Sequence, residues 1–415
     1  MQYDVIIIGG GAAGLSAALS ASGHGAHRVA VLEGAPRVGR KILASGNGRC
    51  NLANARAEKY MGSPEFADTV LKKCPTKQVL RFFRDLGLVT VEEEGGRIYP
   101  GCGQAAAVLD VLRSAAERRG IRVLCDAPAT AIAPVGGGYR VSTPAGTFTA
   151  PAVVAAFGGM AGGKLGHDGG PYRLLTDLGH TLTPLFPALT PLVSEKGAVK
   201  GLSGLRLPAV LYLCRRQKGD PSADPLISRP CQGEVLFTDY GVSGVCAMEL
   251  ARKAGEEQRK TGKWPVLYID FSPMLGLIPR QFGWLNGGPA DQNVKAVEAC
   301  LVDRLHRMPE SAVLQGLAPR LLAERLKGLS IPSLARCLAA FPVPLAGVRG
   351  FEYAQVTAGG VSTAEFSADT LESRLHPGLF AAGELLDVDG DCGGYNLQFA
   401  FASGLIAGEH AAKAR

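Results

Sequence analysis

The sequence predicts an α/β protein: a Rossmann-like dinucleotide-binding domain interrupted by an inserted domain that is β-rich first and helical afterwards. Three observations predict it. The chain opens with an apolar strand, a glycine turn, a small-residue helix and a second strand ending in an acid. A strand, glycine turn and helix return at the C-terminus. Between them the texture changes to alternating strands and then to three- and four-residue apolar spacing. We place the discontinuous nucleotide domain at 1–190 plus 352–415 and the insert at 191–351. The insert is β-rich over about 191–275 and helical over about 276–341, with its hinge at Pro191 and near Phe351.

The first element is Tyr3–Ile8, a continuous β-branched run of the kind buried on both faces of a parallel sheet. It leads into Gly9-x-Gly11-x-x-Gly14, with Ala12 and Ala13 opening the helix. Gly9 permits the tight turn, Gly11 lets a pyrophosphate approach the backbone, and Gly14 lets the helix pack on the strand. The helix N-terminus adds N–H groups and a positive dipole end. The next strand, "HRVAVLE", ends at Glu33, nineteen residues after Gly14, where a carboxylate can accept ribose hydroxyls. The first unit is therefore expected to bind an ADP moiety, and the fingerprint alone leaves NAD and FAD open.

Composition bounds the remainder. The 415 residues are 47% hydrophobic and 20% charged, an ordinary globular balance, and the 55 glycines fall in clusters rather than linkers. A net charge of +7 is spread without a Lys/Arg block, which disfavours nucleic acid as a partner. The closest of the ten cysteines are fifteen positions apart, so no CxxC metal or redox motif exists, and the histidines form no HExxH pattern. No metal is expected. Without an apolar run of membrane-spanning length or a secretion signal, a reduced, cytoplasmic chain is expected, with no membrane partner.

The segment "GRKILASGNGRCNLAN" interleaves Gly39, Gly46 and Gly48 with Arg40, Lys41, Ser45, Asn47, Arg49 and Asn51. A simple NAD domain does not need such a segment. An extended FAD does, because its ribityl chain and ring require backbone contacts; the bland alternative is a basic surface loop. Together with "GGVSTAEFSADTLESRLHPGLFAAGELLDVDGDCGGYN" and the opening turn, this segment resembles the BaiN/YhiN-like, or aminoacetone oxidase-like, NAD(P)/FAD-dependent oxidoreductases of bacteria. The resemblance runs nearly end to end. It is similar, more distantly, to the glutathione-reductase and fumarate-reductase class of two-dinucleotide-fold flavoproteins.

That resemblance implies that the C-terminus returns to complete an FAD site. Gly383-Glu384 ends a strand, and Glu384 or Asp387 takes the ribityl hydroxyls. Gly393 and Gly394 let a helix starting near Tyr395 bring its positive end to the flavin. Asn396 caps that helix or touches the ring. Asp389 and Asp391 are read as turn residues, because a calcium loop starting at Asp387 would place Cys392 and Gln398 where glycine and glutamate are required. Ala129 falls in a segment that crosses the adenine side, and Gly158 returns the chain to the pyrophosphate. The hinge-flanked insert covers the flavin and holds substrate.

The catalytic candidates are Asp239, where the family often carries histidine in "FTDYGVSG", and His167 in "LGHDGG". Cys50 and Cys392 both lie in proposed flavin loops, as inert thiols or as a relay if adjacent. The expected function is an FAD-dependent oxidoreductase acting on a small organic substrate, with NAD(P)H as transient co-substrate. A flavin-dependent oxidase of a small amine using oxygen is the alternative, and a flavin-stabilised nucleic-acid-binding or RNA-modifying protein is a second one.

Overall fold

Strand β1 (Val5–Ile8) lies at the centre of a five-stranded parallel sheet in the computed structural model, and all four of its residues are buried. The structure describes residues 2–57, 59–216, 225–277 and 291–414. These form two compact units, Met1–Phe186 with Val356–Arg415 and Pro187–Gln355. Residues 278–290 of the expected helical segment lie outside the described residues.

In the first unit the chain runs from β1 through helix α1 (Ala12–Gly23), β2 (Val29–Leu32) and the short α2 (Arg40–Ala44). It continues through β3 (Tyr60–Gly62), α3 (Ala105–Arg118) and β4 (Arg122–Leu124). A three-stranded antiparallel meander follows, β5 (Ala131–Val135), β6 (Gly138–Thr143) and β7 (Gly146–Ala150), before β8 (Ala152–Ala155) re-enters the parallel sheet. The return segment supplies β15 (Leu379–Ala381), β16 (Val388–Gly390) and the long helix α7 (Tyr395–Lys413). Sheet order is β15-β8-β1-β2-β4, so the far end of the chain pairs beside β8. Continuous apolar runs in β1, β2 and β8 match strands whose residues are all buried.

Helices α1 and α7 pack almost backbone to backbone. A Cβ on Gly404 would sit 2.3 Å from the Ala13 carbonyl oxygen, and one on Gly408 would sit 2.1 Å from that of Ala17. Ser20 Oγ donates across the same seam to the Leu405 carbonyl at 2.7 Å. Both helices are rich in alanine, serine and glycine, which is what so short an approach requires.

The second unit is built on a closed antiparallel barrel ordered β9 (Leu192–Ser194), β12 (Gly241–Ser243), β11 (Cys231–Phe237), β10 (Arg206–Cys214), β13 (Val266–Asp270), β14 (Phe341–Val348). Helices α4 (Ala251–Thr261), α5 (Asp291–Leu305) and α6 (Ile331–Ala339) accompany it. The sequence reading ended the insert's pattern in helix. In fact the strand after that helical run closes the barrel, pairing with both β13 and β9. Its core is a separate cluster that includes Leu211, Phe237, Phe271, Leu338 and Val343.

Gly408→Ala should lower the thermal midpoint, because overpacking against backbone costs about 1–3 kcal/mol or more. A melt indistinguishable from wild type would contradict the packing of α1 on α7.

Candidate functional site: a dinucleotide cradle closed by the C-terminal turn

The glycine turn after β1 is fixed by contacts rather than by flexibility. Gly9 has φ +103°, and its Cβ would strike the Ala156 carbonyl oxygen at 2.4 Å. A Cβ on Gly14 would lie 1.8 Å from the Gly9 oxygen. Gly11 differs: its Cβ would meet nothing within 4 Å. Open space therefore stands at the N-terminus of α1, where Gly11 caps without a side-chain bond and Ala12 and Ala13 add little bulk. That is where an anion is favoured.

Glu33 stands at the end of β2 as expected. Its Oε2 accepts the Gly10 N–H at 2.7 Å and its Oε1 the Ala35 N–H at 2.8 Å. Each oxygen keeps a lone pair for a ribose hydroxyl. The segment leading to half-buried Ala129 runs alongside, with Ala127 N–H on the Glu33 carbonyl at 2.9 Å.

The next segment returns to the same turn. Gly39 (φ +74°) donates its N–H to Gly10 O at 2.8 Å and leaves no room for a Cβ beside Leu109. Arg40 reaches away, to the Lys164 carbonyl at 2.7 Å. Ser45 Oγ folds back on Ile42 O at 2.7 Å. Gly46, Asn47 and Gly48 then adopt left-handed φ values of 56°, 55° and 82° in succession, and all three are exposed. A non-glycine residue held this way in solvent stores strain of a kind that gathers at ligand sites.

Lys41 carries the link between the two ends of the chain. Its Nζ lies 2.8 Å from Glu384 Oε2 and 3.1 Å from the Gly159 carbonyl. Glu384 Oε1 accepts the Thr357 N–H at 3.0 Å. Burial works to raise the Glu384 pKa, but the Lys41 ammonium and the Thr357 hydrogen bond outweigh it and hold the carboxyl below its ordinary value. A Cβ on Gly158 (φ +78°) would lie 3.9 Å from Glu384 Oε2 and 4.0 Å from Lys41 Nζ.

The C-terminal turn completes the cradle. Gly383 (φ +80°) packs against Ala13, and its N–H donates to Ser403 Oγ at 3.0 Å. Asp387 Oδ1 is buried without a hydrogen bond among the described residues. Gly394 (φ +101°) caps α7 with no side-chain bond, and its Cβ would strike Ala53 O at 2.4 Å. Gly393 (φ +124°) precedes it, and Tyr395 opens the helix with its ring 5.8 Å from that of Tyr60.

Two readings need correction here. Asn396 does not cap α7: its Oδ1 accepts the Gly390 N–H and its Nδ2 donates to Gly390 O, both at 2.8 Å, so the amide staples the turn. Asp389 is not a turn residue. It is buried in β16, which pairs with β3.

The two catalytic candidates differ in character. His167 Nδ1 accepts the Gly169 N–H and its Nε2 bonds Gly158 O, each at 3.0 Å, which fixes the neutral Nε2–H tautomer. Burial lowers its pKa further. With both nitrogens on backbone groups, it positions the Gly158 loop. Asp239 is exposed at the tip of the β11–β12 hairpin in the second unit. No disulfide joins the cysteines among the described residues, and burial pushes the Cys50 thiol up to about 11, which makes it a poor nucleophile.

Two residues, Thr357 and Tyr172, escaped the sequence reading, and Asn51 was read only as one of the polar residues of the glycine-rich segment. Thr357 supplies the N–H that holds Glu384, and its Oγ1 accepts the Ala161 N–H at 3.0 Å. Tyr172 buries a hydroxyl with no hydrogen bond among the described residues; burial, then the charges of Glu384 and Asp387, raise its pKa. Asn51 buries an unpartnered Oδ1 beside Gly394. The "VTAGG" run was the available signal for Thr357. Nothing local marks Tyr172. Open space at Gly11, unpartnered polar atoms at Asp387, Tyr172 and Asn51, and two free helix N-termini fit FAD.

The family described as HI0933-like protein Rossmann domain matches residues 3–410. A 3-dehydro-bile acid delta(4,6)-reductase of Clostridium scindens is 37% identical, covering 98% of both chains. A ribosomal RNA dihydrouridine synthase of Escherichia coli is 28% identical over 97% of this chain and 96% of its own. Among solved structures, a 3-ketosteroid-delta4-(5alpha)-dehydrogenase of Rhodococcus jostii superposes with a TM-score of 0.53 at 16% identity, covering 99% and 97%, a likeness of fold. No described helix is long and apolar enough to cross a membrane.

Gly11→Ala and Gly14→Ala separate ligand space from folding space. Gly11→Ala should leave the melt of the flavin-free protein unchanged and weaken FAD at least about tenfold, equivalent to ~1.4 kcal/mol. Gly14→Ala should lower the melt itself. Full FAD affinity in Gly11→Ala would contradict the assignment.

Proposed function

The chain belongs to the HI0933-like Rossmann family of FAD-dependent oxidoreductases, and from that premise we propose that it saturates an activated carbon–carbon double bond of a small organic substrate with NAD(P)H as the reductant. The observation that carries this reading is the end-to-end relationship, at 37% identity, to a protein named as a delta(4,6)-reductase. Bound FAD supplies the hydride chemistry. The electrons of NAD(P)H and one solvent proton account for the two hydrogens added across the double bond.

The protein's part is positioning and electrostatics. Gly11 and the α1 N-terminus take the pyrophosphate, and Glu33 takes the adenosine ribose. Glu384, oriented by Lys41 and Thr357, presents acceptors to the ribityl hydroxyls together with Asp387. The positive end of α7, stripped of side chains at Gly393 and Gly394, favours negative charge beside it. Asp239 remains the proposed proton donor to the substrate, since His167 is engaged on both sides.

A second reading is favoured by the relatives named ribosomal RNA dihydrouridine synthase, at 28% and 24% identity. Forming dihydrouridine also saturates a double bond next to a carbonyl, so the same chemistry would act on an RNA base.

An anaerobic titration with NADH and then NADPH tests the proposal. The flavin bands should bleach with one of them, and an enone should restore them. Asp239→Asn should slow the second phase at least about tenfold, in line with the usual worth of a general acid, and leave the first unchanged. Bands that persist, with peroxide formed from a small amine in air, would overturn the reductase reading. Restoration by uridine-containing RNA and not by small enones would select the second reading.

A further inference from the structure

We propose that Arg349, clamped between Tyr240 and Tyr353, is a carboxylate-binding site of the second unit. The guanidinium carbon lies 3.6 Å from the centroid of the Tyr353 ring and 4.5 Å from that of Tyr240. The backbone beneath it is fixed from both directions: Arg349 N–H donates to Pro191 O at 2.9 Å, and its carbonyl accepts Thr190 Oγ1 at 3.1 Å. Yet among the described residues the guanidinium itself meets no hydrogen-bond acceptor and no carboxylate. Other arginines of this unit do find one. Arg215 pairs with Glu257, Arg216 with Glu195 and Arg252 with Glu256.

Rings that stack on a guanidinium occupy its faces and leave its edges, where the N–H donors lie. Two such rings hold the plane in place before any ligand arrives, so less freedom is lost on binding. The edge fork matches a planar carboxylate in bidentate fashion, which a lysine cannot do. Arg349 is half-buried and Tyr353 is 47% exposed, so the fork is reachable.

The surrounding charge narrows the ligand. Asp239, exposed, immediately precedes Tyr240, and Glu352 precedes Tyr353. The Glu352 carboxylate folds against Gly350, where a Cβ would lie 2.5 Å from its Oε2, rather than onto Arg349. Carboxylates on the residues next to both rings disfavour a phosphate dianion more than a monoanionic carboxylate. The site therefore takes an organic acid. As a binding statement this is independent of the proposed reduction. As a statement that the substrate carries a carboxylate it rests on that reading.

The test uses the full flavoprotein without turnover, with benzoate as probe and benzamide as its neutral counterpart, followed by saturation-transfer NMR. Benzoate should bind and benzamide should not displace it. Arg349→Gln should weaken benzoate at least about tenfold while leaving the melt nearly unchanged, because no protein hydrogen bond is lost. Arg349→Lys should fall between the two, and Tyr353→Ala should weaken benzoate by freeing the fork. These last two carry the test if Arg349→Gln does not fold. Failure of wild type to bind benzoate, equal binding of benzamide, inorganic phosphate binding more tightly than benzoate, or full affinity in the variants would each overturn the proposal. Anaerobic bleaching by NAD(P)H is unaffected by any of these results, so the two readings fail separately.

Discussion

The close approach of α1 and α7 governs the first unit. One helix starts at the dinucleotide turn and the other ends the chain, nearly 400 residues later. They meet so tightly that Gly404 and Gly408 press on carbonyl oxygens of α1. That contact fixes where the C-terminal turn can go. Gly383 packs on Ala13, the first turn of α1, and Glu384 follows it directly toward Lys41. The free N-terminus of α7 is held by the same helix that α1 anchors. The candidate cradle of residues 9–48 and 383–396 thus depends on a seam of small side chains.

Electrostatics then decide how the cradle is set. A partly buried carboxylate is costly unless paired, and Glu384 is paired with Lys41 and bonded to the Thr357 N–H. One pairing orients residues from three separate segments. By contrast, Asp387, Tyr172 and Asn51 retain buried polar atoms without partners among the described residues, and Gly46–Gly48 runs left-handed in solvent. Packing alone rewards neither feature. Both are what a binding site retains for a polar ligand, and the positive ends of α1 and α7 supply the complementary charge.

Much of this was legible along the chain. The β1–turn–α1 unit, Glu33 and the start of α7 at Tyr395 each rest on local rules, namely period, turn chemistry and helix-end chemistry, and these rules act over a few residues. What was not legible depends on partners far away in sequence. Lys41 and Glu384 were each assigned to the ligand path, but nothing local says that they face one another across 343 positions. Asn396 reads as a cap until Gly390 is seen to claim both ends of its amide. Asp389 sits in an acidic, glycine-rich run that looks like a turn, and only the pairing of β16 with β3 buries it. In the second unit, Pro342 and Pro344 obscured β14. They are tolerated there because β9 pairs only from Leu345 onward, so beside Pro342 and Pro344 one side of the strand has no β9 partner asking for an N–H.

A crystal structure of the protein grown with FAD tests most directly whether the two ends of the chain build one FAD site. The pyrophosphate should lie over Gly11 at the start of α1, the adenosine ribose on Glu33, the ribityl hydroxyls within hydrogen-bond reach of Glu384 or Asp387, and the ring at the N-terminus of α7. Flavin bound elsewhere, or bound with Glu384, Asp387 and the α7 terminus all out of reach, would contradict it.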